Sequence, residues 1–109
     1  MAPTGSRYKI VVFVPAEVRE TVREAMAAAG AGVIGDYTHC SFASPGVGTF
    51  LGGAGTDPAV GEAGRLETVE EWRLEMVAPE AVVPDVIAAM KNAHPYEEVA
   101  YDVYRLADF

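Results

Sequence analysis

The sequence has little of several residues on which common classes of protein depend. Its single cysteine, Cys40, excludes an internal disulfide bond. Its two lysines lie at positions 9 and 91, so no glycine-rich segment ends in the lysine of a nucleotide-binding phosphate loop. The longest apolar stretch near the start, residues 10–16, is too short to cross a membrane and lacks a signal-peptide profile. These absences favour a cytoplasmic protein.

Basic side chains are also scarce, since 8 Lys and Arg face 16 Asp and Glu, for a net charge of −8. Residues 1–56 hold four acids and four bases, whereas residues 57–109 hold twelve acids and four bases. The excess negative charge therefore lies entirely in the second half. A polyanion would be repelled by that field. We predict that neither nucleic acid nor an anionic membrane is a direct partner.

Apolar residues, in contrast, are plentiful. They make up 50% of the 109 residues, which suffices for one hydrophobic core and argues against disorder. The length suits one ordinary domain and not two. We predict a single domain over residues 1–109, in which residues 1–6 form a flexible tail.

Apolar periodicity predicts two helices and several strands. Pro15 opens a helix that ends at Gly30, and a second helix spans residues 80–93 with Pro84 in its first turn. The segment Ser44-Pro45-Gly46-Val47 predicts the turn of a β-hairpin, and residues 52–64 predict an irregular loop. Alternation of apolar residues predicts strands at residues 8–14, 37–43, 47–51, 65–77 and 99–106.

The predicted order of elements is β-α-β-β-β-α-β. With the strand at residues 47–51 taken as an addition, this order is typical of the ferredoxin-like α+β fold. That fold is a two-layer sandwich with both helices on one face of an antiparallel sheet, here with an extra β-hairpin strand. Val11, Phe13 and Val77 point to the other face, and exposing them to water would be unfavourable. We therefore expect the open face to mediate self-association.

Four segments carry a resemblance to a known family, most specifically HPYEEVAYDVY at residues 94–104. Together with residues 35–50, 60–67 and 70–80, it resembles the insert domain of the NIF-three-like proteins of the YqfO type. That insert is itself similar to the PII nitrogen regulators and the CutA proteins, so the resemblance implies a PII-like, CutA-like homotrimer.

The same resemblance bears on catalysis. Full-length NIF-three-like proteins hold a dinuclear metal site in two lobes that flank the insert. This chain has two histidines and no room for either lobe, so we expect a free-standing copy of the insert. The resemblance therefore implies no self-sufficient enzyme, and no hydrolase or cyclohydrolase activity is expected of these residues.

The side chains of His39, His94, Glu97 and Glu98 are of the types that bind zinc or copper. We put forward a metal site at these residues as a hypothesis, and no cofactor is expected to be required. The alternative is that His39 is a hydrogen-bonded strand residue and His94 a cation favoured by the dipole at a helix end.

The glycine-rich segment 46–64 allows three interpretations: a flexible loop, a docking site for a protein partner, or a nucleotide site. Asp57, Glu62 and Glu67 disfavour a bound phosphate. The acidic run over residues 67–75 is typical of a solvated strand that guards against aggregation. The leading prediction is a trimeric module that binds or senses a small ligand or metal ion. The alternative is a protein-interaction module that docks through residues 46–64.

Overall fold

The computed structural model describes residues 6–109, and it contains one four-stranded antiparallel sheet and two α-helices. The strand order is β2-β3-β1-β4, and both helices lie on the same face. The α+β ferredoxin-like fold predicted from the sequence is therefore confirmed. The elements are β1 (Arg7–Pro15), α1 (Arg19–Ala28), β2 (Phe42–Leu51), β3 (Leu66–Pro79), α2 (Val83–Ala93) and β4 (Tyr101–Arg105).

The core lies between the helices and one face of the sheet. Val22 and Met26 of α1 and Val86 and Met90 of α2 are fully buried there. The strand residues that face them alternate along the chain, as period-2 side-chain geometry requires. They are Ile10, Val12 and Val14 of β1 and Leu74, Met76 and Ala78 of β3.

The first and last strands along the chain, β1 and β4, are neighbours in the sheet. β1 pairs with β4 in an antiparallel register that places Tyr8 opposite Arg105. Just beyond this ladder, the Leu106 N–H donates to the Arg7 carbonyl at 2.9 Å. Of the predicted tail at residues 1–6, residues 1–5 lie outside the described residues. Ser6 is hydrogen-bonded to the folded part of the chain, since its carbonyl accepts the Glu80 N–H at 2.9 Å.

The predicted hairpin turn at residues 44–47 is wrong, and with it the extra hairpin strand. β2 runs unbroken from Phe42 to Leu51, and each of its residues is paired with β3. The physical reason is the position of β2 at the edge of the sheet. Pro45 lacks an N–H to donate, and an edge strand has one side on which no ladder bond is needed.

The predicted strand at residues 37–43 is also mostly wrong, since only its last two residues belong to β2. The preceding segment turns sharply, with an isolated bridge between Ile34 and Tyr37. Gly35 and His39 have φ angles of 59° and 60°, in the left-handed region that strands do not use. This segment connects α1 to β2 as an irregular loop.

The open sheet face carries the side chains of Val11, Phe13 and Val77, as predicted. Val11 is nevertheless fully buried within one chain, between Glu75 of β3 and Asp102 of β4, so its expected exposure is wrong. Phe13 and Val77 are half-buried. Phe42, at the edge of the same face, is 67% exposed. Apolar surface therefore remains on this face, although less than the sequence suggests.

The helices in residues 6–109 are short, and neither has the length and apolar character needed to span a bilayer.

Candidate functional site

A cavity of about 260 Å³ opens on the sheet face opposite the helices. We call it the loop cavity, because residues 52–65 between β2 and β3 form one wall. Phe13 of β1 and Phe50 of β2 contribute aromatic surface, and the segment 96–100 before β4 forms the opposite wall. The rings of Phe50 and Tyr96 lie 6.4 Å apart between centroids, in a tilted arrangement. The site is thus mainly apolar, with polar groups at defined points.

The main polar feature of the loop cavity is a phenol–carboxylate pair. The Tyr96 hydroxyl donates to Glu71 Oε2 at 2.9 Å. Burial raises the pKa of Tyr96 well above its ordinary value, and the hydrogen bond to Glu71 and its negative charge act in the same direction. The phenol therefore keeps its proton at neutral pH, which fixes Tyr96 as the donor and Glu71 as the acceptor.

A glycine makes room for the Glu71 carboxylate. Gly48 of β2 lies on the open face, and a β-carbon added to it would collide with Glu71 Oε1. The carboxylate consequently rests against the bare backbone of β2. Since the obstructing atom is the end of a flexible side chain, a larger residue at position 48 would move Glu71 instead of breaking the sheet.

The wall formed by residues 52–65 is attached to the opposite wall. The Asp57 N–H donates to Glu97 Oε1 at 2.6 Å. The ends of the loop are joined by the Gly64 N–H, which donates to the Gly52 carbonyl at 2.8 Å. These residues form an irregular loop, as the sequence predicted, and the loop folds back over the sheet face.

His94 is hydrogen-bonded to the backbone of two residues that line the loop cavity, Phe13 and Tyr96. Its imidazole is only 7% exposed. Nε2 lies 2.8 Å from the Phe13 carbonyl and Nδ1 lies 3.2 Å from the Tyr96 N–H. A carbonyl only accepts and an N–H only donates, so these partners assign the neutral tautomer with hydrogen on Nε2. Both ring nitrogens of His94 are therefore engaged with backbone groups of the same chain.

His39 is placed elsewhere, on the exposed loop between α1 and β2. Its Nε2 lies 3.2 Å from Glu24 Oε2 on α1, and its Nδ1 lies 3.0 Å from the Thr38 hydroxyl. Among residues 6–109, no group of three or more His, Cys, Asp or Glu side chains could hold a metal ion. A single chain therefore does not bring the four predicted ligands together, and the metal hypothesis stays a prediction.

Two residues that line the loop cavity were named from the sequence, but the pair formed by Tyr96 and Glu71 was not predicted. Glu97 and Glu98 line the loop cavity, although they were predicted as metal ligands. Glu71 was assigned to a protective acidic run, and Tyr96 was given no role of its own. The available signal was the motif at residues 94–104, in which an aromatic residue follows His-Pro directly.

Comparison with known proteins places the chain among longer relatives. No protein-family model matches it. It is 51% identical over 110 residues to the "GTP cyclohydrolase 1 type 2 homolog" of Halalkalibacterium halodurans, covering 99% of this chain and 30% of that protein. The crystal structure of a Bacillus cereus protein related to NIF3 superposes with a TM-score of 0.82 at 50% identity, over 98% of this chain and 28% of that one. The chain thus spans less than a third of the length of these relatives.

Two shorter proteins share the fold over most of their length. CutA from Archaeoglobus fulgidus, a "periplasmic divalent cation tolerance protein", has a TM-score of 0.69 at 14% identity, covering 94% of this chain and 86% of CutA. GlnK from Bacillus subtilis has a TM-score of 0.64 at 16% identity, covering 94% and 87%. Such low identities establish the fold alone. The chain is a short NIF3-related module with a CutA-like and PII-like fold, which confirms the resemblance seen in the sequence.

Proposed function

We propose that this chain is a homotrimeric, non-catalytic binding module whose small ligand occupies the loop cavity. The observation that carries the proposal is the cavity itself, with the Tyr96–Glu71 pair on its wall and residues 52–65 attached across it. Ligand sites are typically apolar concavities in which a few polar groups fix the orientation of the ligand. The volume of about 260 Å³ lies just below the range of about 300–1,000 Å³ that is usual for such sites, so we expect the ligand to be small.

A neutral apolar dye tests this site without knowledge of the natural ligand. We expect N-phenyl-1-naphthylamine fluorescence to rise on binding to the wild-type chain. An Ala100→Trp variant, whose indole would fill the cavity, is expected to abolish the rise. Ala88 is an exposed alanine on α2 and gives the matched control, Ala88→Trp. If Ala100→Trp binds the dye as well as Ala88→Trp does, the loop cavity is not the binding site.

Self-association, which a trimer requires, is supported by the apolar surface left on the open sheet face. Phe42 and Tyr104 are 67% and 46% exposed there, and exposing such patches to water is unfavourable. Sedimentation equilibrium at micromolar concentration should give three times the chain mass, and Phe42→Asp should lower it. Val47 is equally exposed but lies on the opposite face of β2, so Val47→Asp is the control. A wild-type monomer would refute this part of the proposal.

The proposal that the module is not itself an enzyme rests on how little of the longer relatives the chain covers. The relative with "GTP cyclohydrolase" in its name is matched over 30% of its length. Residues 6–109 offer no cluster of ligands that could hold a catalytic metal. We expect no turnover when the purified chain is incubated with GTP and the nucleotides are separated by chromatography. Turnover that Glu71→Gln or His94→Asn abolishes would overturn the proposal.

The alternative function, docking of a protein partner through residues 46–64, is less well supported. Residues 46–51 are part of β2 and paired with β3, and the following loop is attached to Glu97. Ala100→Trp again separates the two functions. It blocks the cavity and leaves the loop in place, so a protein partner would still bind to it.

A further inference from the structure

We infer that the ligand of the loop cavity is an apolar organic cation, such as an alkylamine or a quaternary ammonium compound. This inference rests on the proposed function above and concerns the chemistry of the same site. The ionisable side chains that line the cavity are Glu71, Tyr96, Glu97 and Glu98. The described lining contains no lysine, arginine or histidine. The site therefore carries negative charge on largely apolar walls.

Glu71 has no cationic partner among residues 6–109. Its one side-chain hydrogen bond comes from the neutral phenol of Tyr96, and none of the salt bridges formed by residues 6–109 includes it. Arg73, the arginine of β3, donates from Nε to Glu75 Oε2 at 2.6 Å, and its guanidinium carbon lies 5.9 Å from the centroid of the Phe13 ring. Glu71 is half-buried, and even partial removal of a carboxylate from water is unfavourable unless hydrogen bonds or an opposite charge compensate it. A ligand cation would supply that charge.

The aromatic walls favour an organic cation over a metal ion. Phe13, Phe50 and Tyr96 line the cavity, and aromatic faces attract ammonium groups through their quadrupoles. A divalent metal ion needs several oxygen ligands around one point. Within the described residues no such group of carboxylates exists, and Glu97 Oε1 already accepts the Asp57 N–H. A phosphate would meet the carboxylates of Glu71, Glu97 and Glu98 in the described lining, which disfavours an anionic ligand.

Three probes with the same six-carbon chain separate the contribution of charge to the affinity from that of apolar contact. They are hexyltrimethylammonium, hexan-1-ol and hexanoate, titrated into the ¹⁵N-labelled full chain and followed by backbone amide shifts. We expect the cation to bind at least tenfold more tightly than the alcohol and hexanoate to bind most weakly. The largest shifts should fall on Gly48, Glu71 and Tyr96.

Glu71→Gln tests whether the charge of Glu71 causes the preference for the cation. The amide oxygen can still accept the Tyr96 hydroxyl, so the cavity keeps its shape while the charge is lost. We expect about a tenfold loss of affinity for the cation and no change for hexan-1-ol. Glu70→Gln is the matched control, since Glu70 is exposed and its side chain lies on the opposite face of β3. Equal losses in the two variants would overturn the inference, because net charge alone would then explain the preference.

The remaining outcomes distinguish this inference from the proposed function. If hexan-1-ol binds as tightly as the cation at the cavity residues, the cation inference fails and the binding cavity stands. If hexanoate binds most tightly, the inference is again wrong. If no probe shifts the cavity residues and the dye does not bind either, both the proposed function and the inference fail.

Discussion

Replacing His94 by alanine should destabilise the fold by about 3 kcal/mol, although the residue lies outside the apolar core. The imidazole joins two backbone groups that are far apart in sequence, the Phe13 carbonyl and the Tyr96 N–H. A buried polar group left without its partner costs about 1–3 kcal/mol. Taking about 1.5 kcal/mol for each of the two groups, because water can reach the edge of the cavity, gives the total.

Chemical unfolding measures this loss directly. With an urea m-value of about 1.5 kcal/mol per molar, the midpoint for His94→Ala should fall by about 2 M. Protein concentration must be held constant, because self-association adds to the apparent stability. His39→Ala is the internal control: that residue is exposed, and its ring is hydrogen-bonded to the exposed side chains of Thr38 and Glu24. Its loss should stay within about 0.5 kcal/mol.

The asparagine variant separates the two hydrogen bonds. In His94→Asn, the side-chain oxygen can accept the Tyr96 N–H two residues later, as in an Asx turn. This variant should recover about half of the stability lost in His94→Ala. If the asparagine and alanine variants are equally unstable, or if His39→Ala is as destabilising as His94→Ala, the hydrogen-bond account of His94 is refuted.

Three further predictions concern the loop cavity. Gly48→Ala should move the Glu71 carboxylate away from Tyr96 with less than about 1 kcal/mol of destabilisation, since a surface side chain can shift; unchanged Tyr96 amide and ring shifts would contradict this. Because burial and the Glu71 carboxylate raise the folded-state pKa of Tyr96 above its ordinary value of 10.0, its contribution to stability is complete below that pH and is lost as the pH rises through the raised pKa. Absorbance at 295 nm should show a tyrosine that ionises above that pH and is missing in Tyr96→Phe, and the same variant should lose that part of the alkaline destabilisation. Glu97→Ala should speed hydrogen exchange at the Asp57 amide, and exchange at the wild-type rate would show that this bond does not hold the loop.

The sequence predicted the helices and central strands because their signals are local and strong. Pro84 stands in the first helical turn and the helix ends before His94, as the rules for proline require. Gly30, expected to end α1, has a φ of 119°, which a side chain would disfavour. Such features depend on neighbours within a few residues, so they can be read without knowledge of the fold.

The hairpin error has the opposite origin. Pro45-Gly46 is a strong turn signal by itself, but the effect of a proline depends on whether its strand lies inside a sheet or at an edge. That position is decided by the pairing of β2 with β3. Local sequence contains no information on it.

The candidate site depends still more on distant contacts. Glu71 and Tyr96 are 25 residues apart, and His94 and Phe13 are 81 residues apart. Spacing rules pair residues within a helix or strand, so they could not find these contacts. They grouped His39 with His94 by chemical type, whereas the fold places one against α1 and the other behind the cavity.

The hydrogen bond between the Leu106 N–H and the Arg7 carbonyl holds the two ends of the folded unit side by side, which matters for its insertion into a larger polypeptide. A chain that arrives at Arg7 and departs at Leu106 crosses only the width of one strand pairing. A host protein could therefore accommodate the unit in a surface loop without having its own framework pushed apart, as in a tolerated domain insertion. The same geometry allows the guest to fold on its own core while its host folds independently.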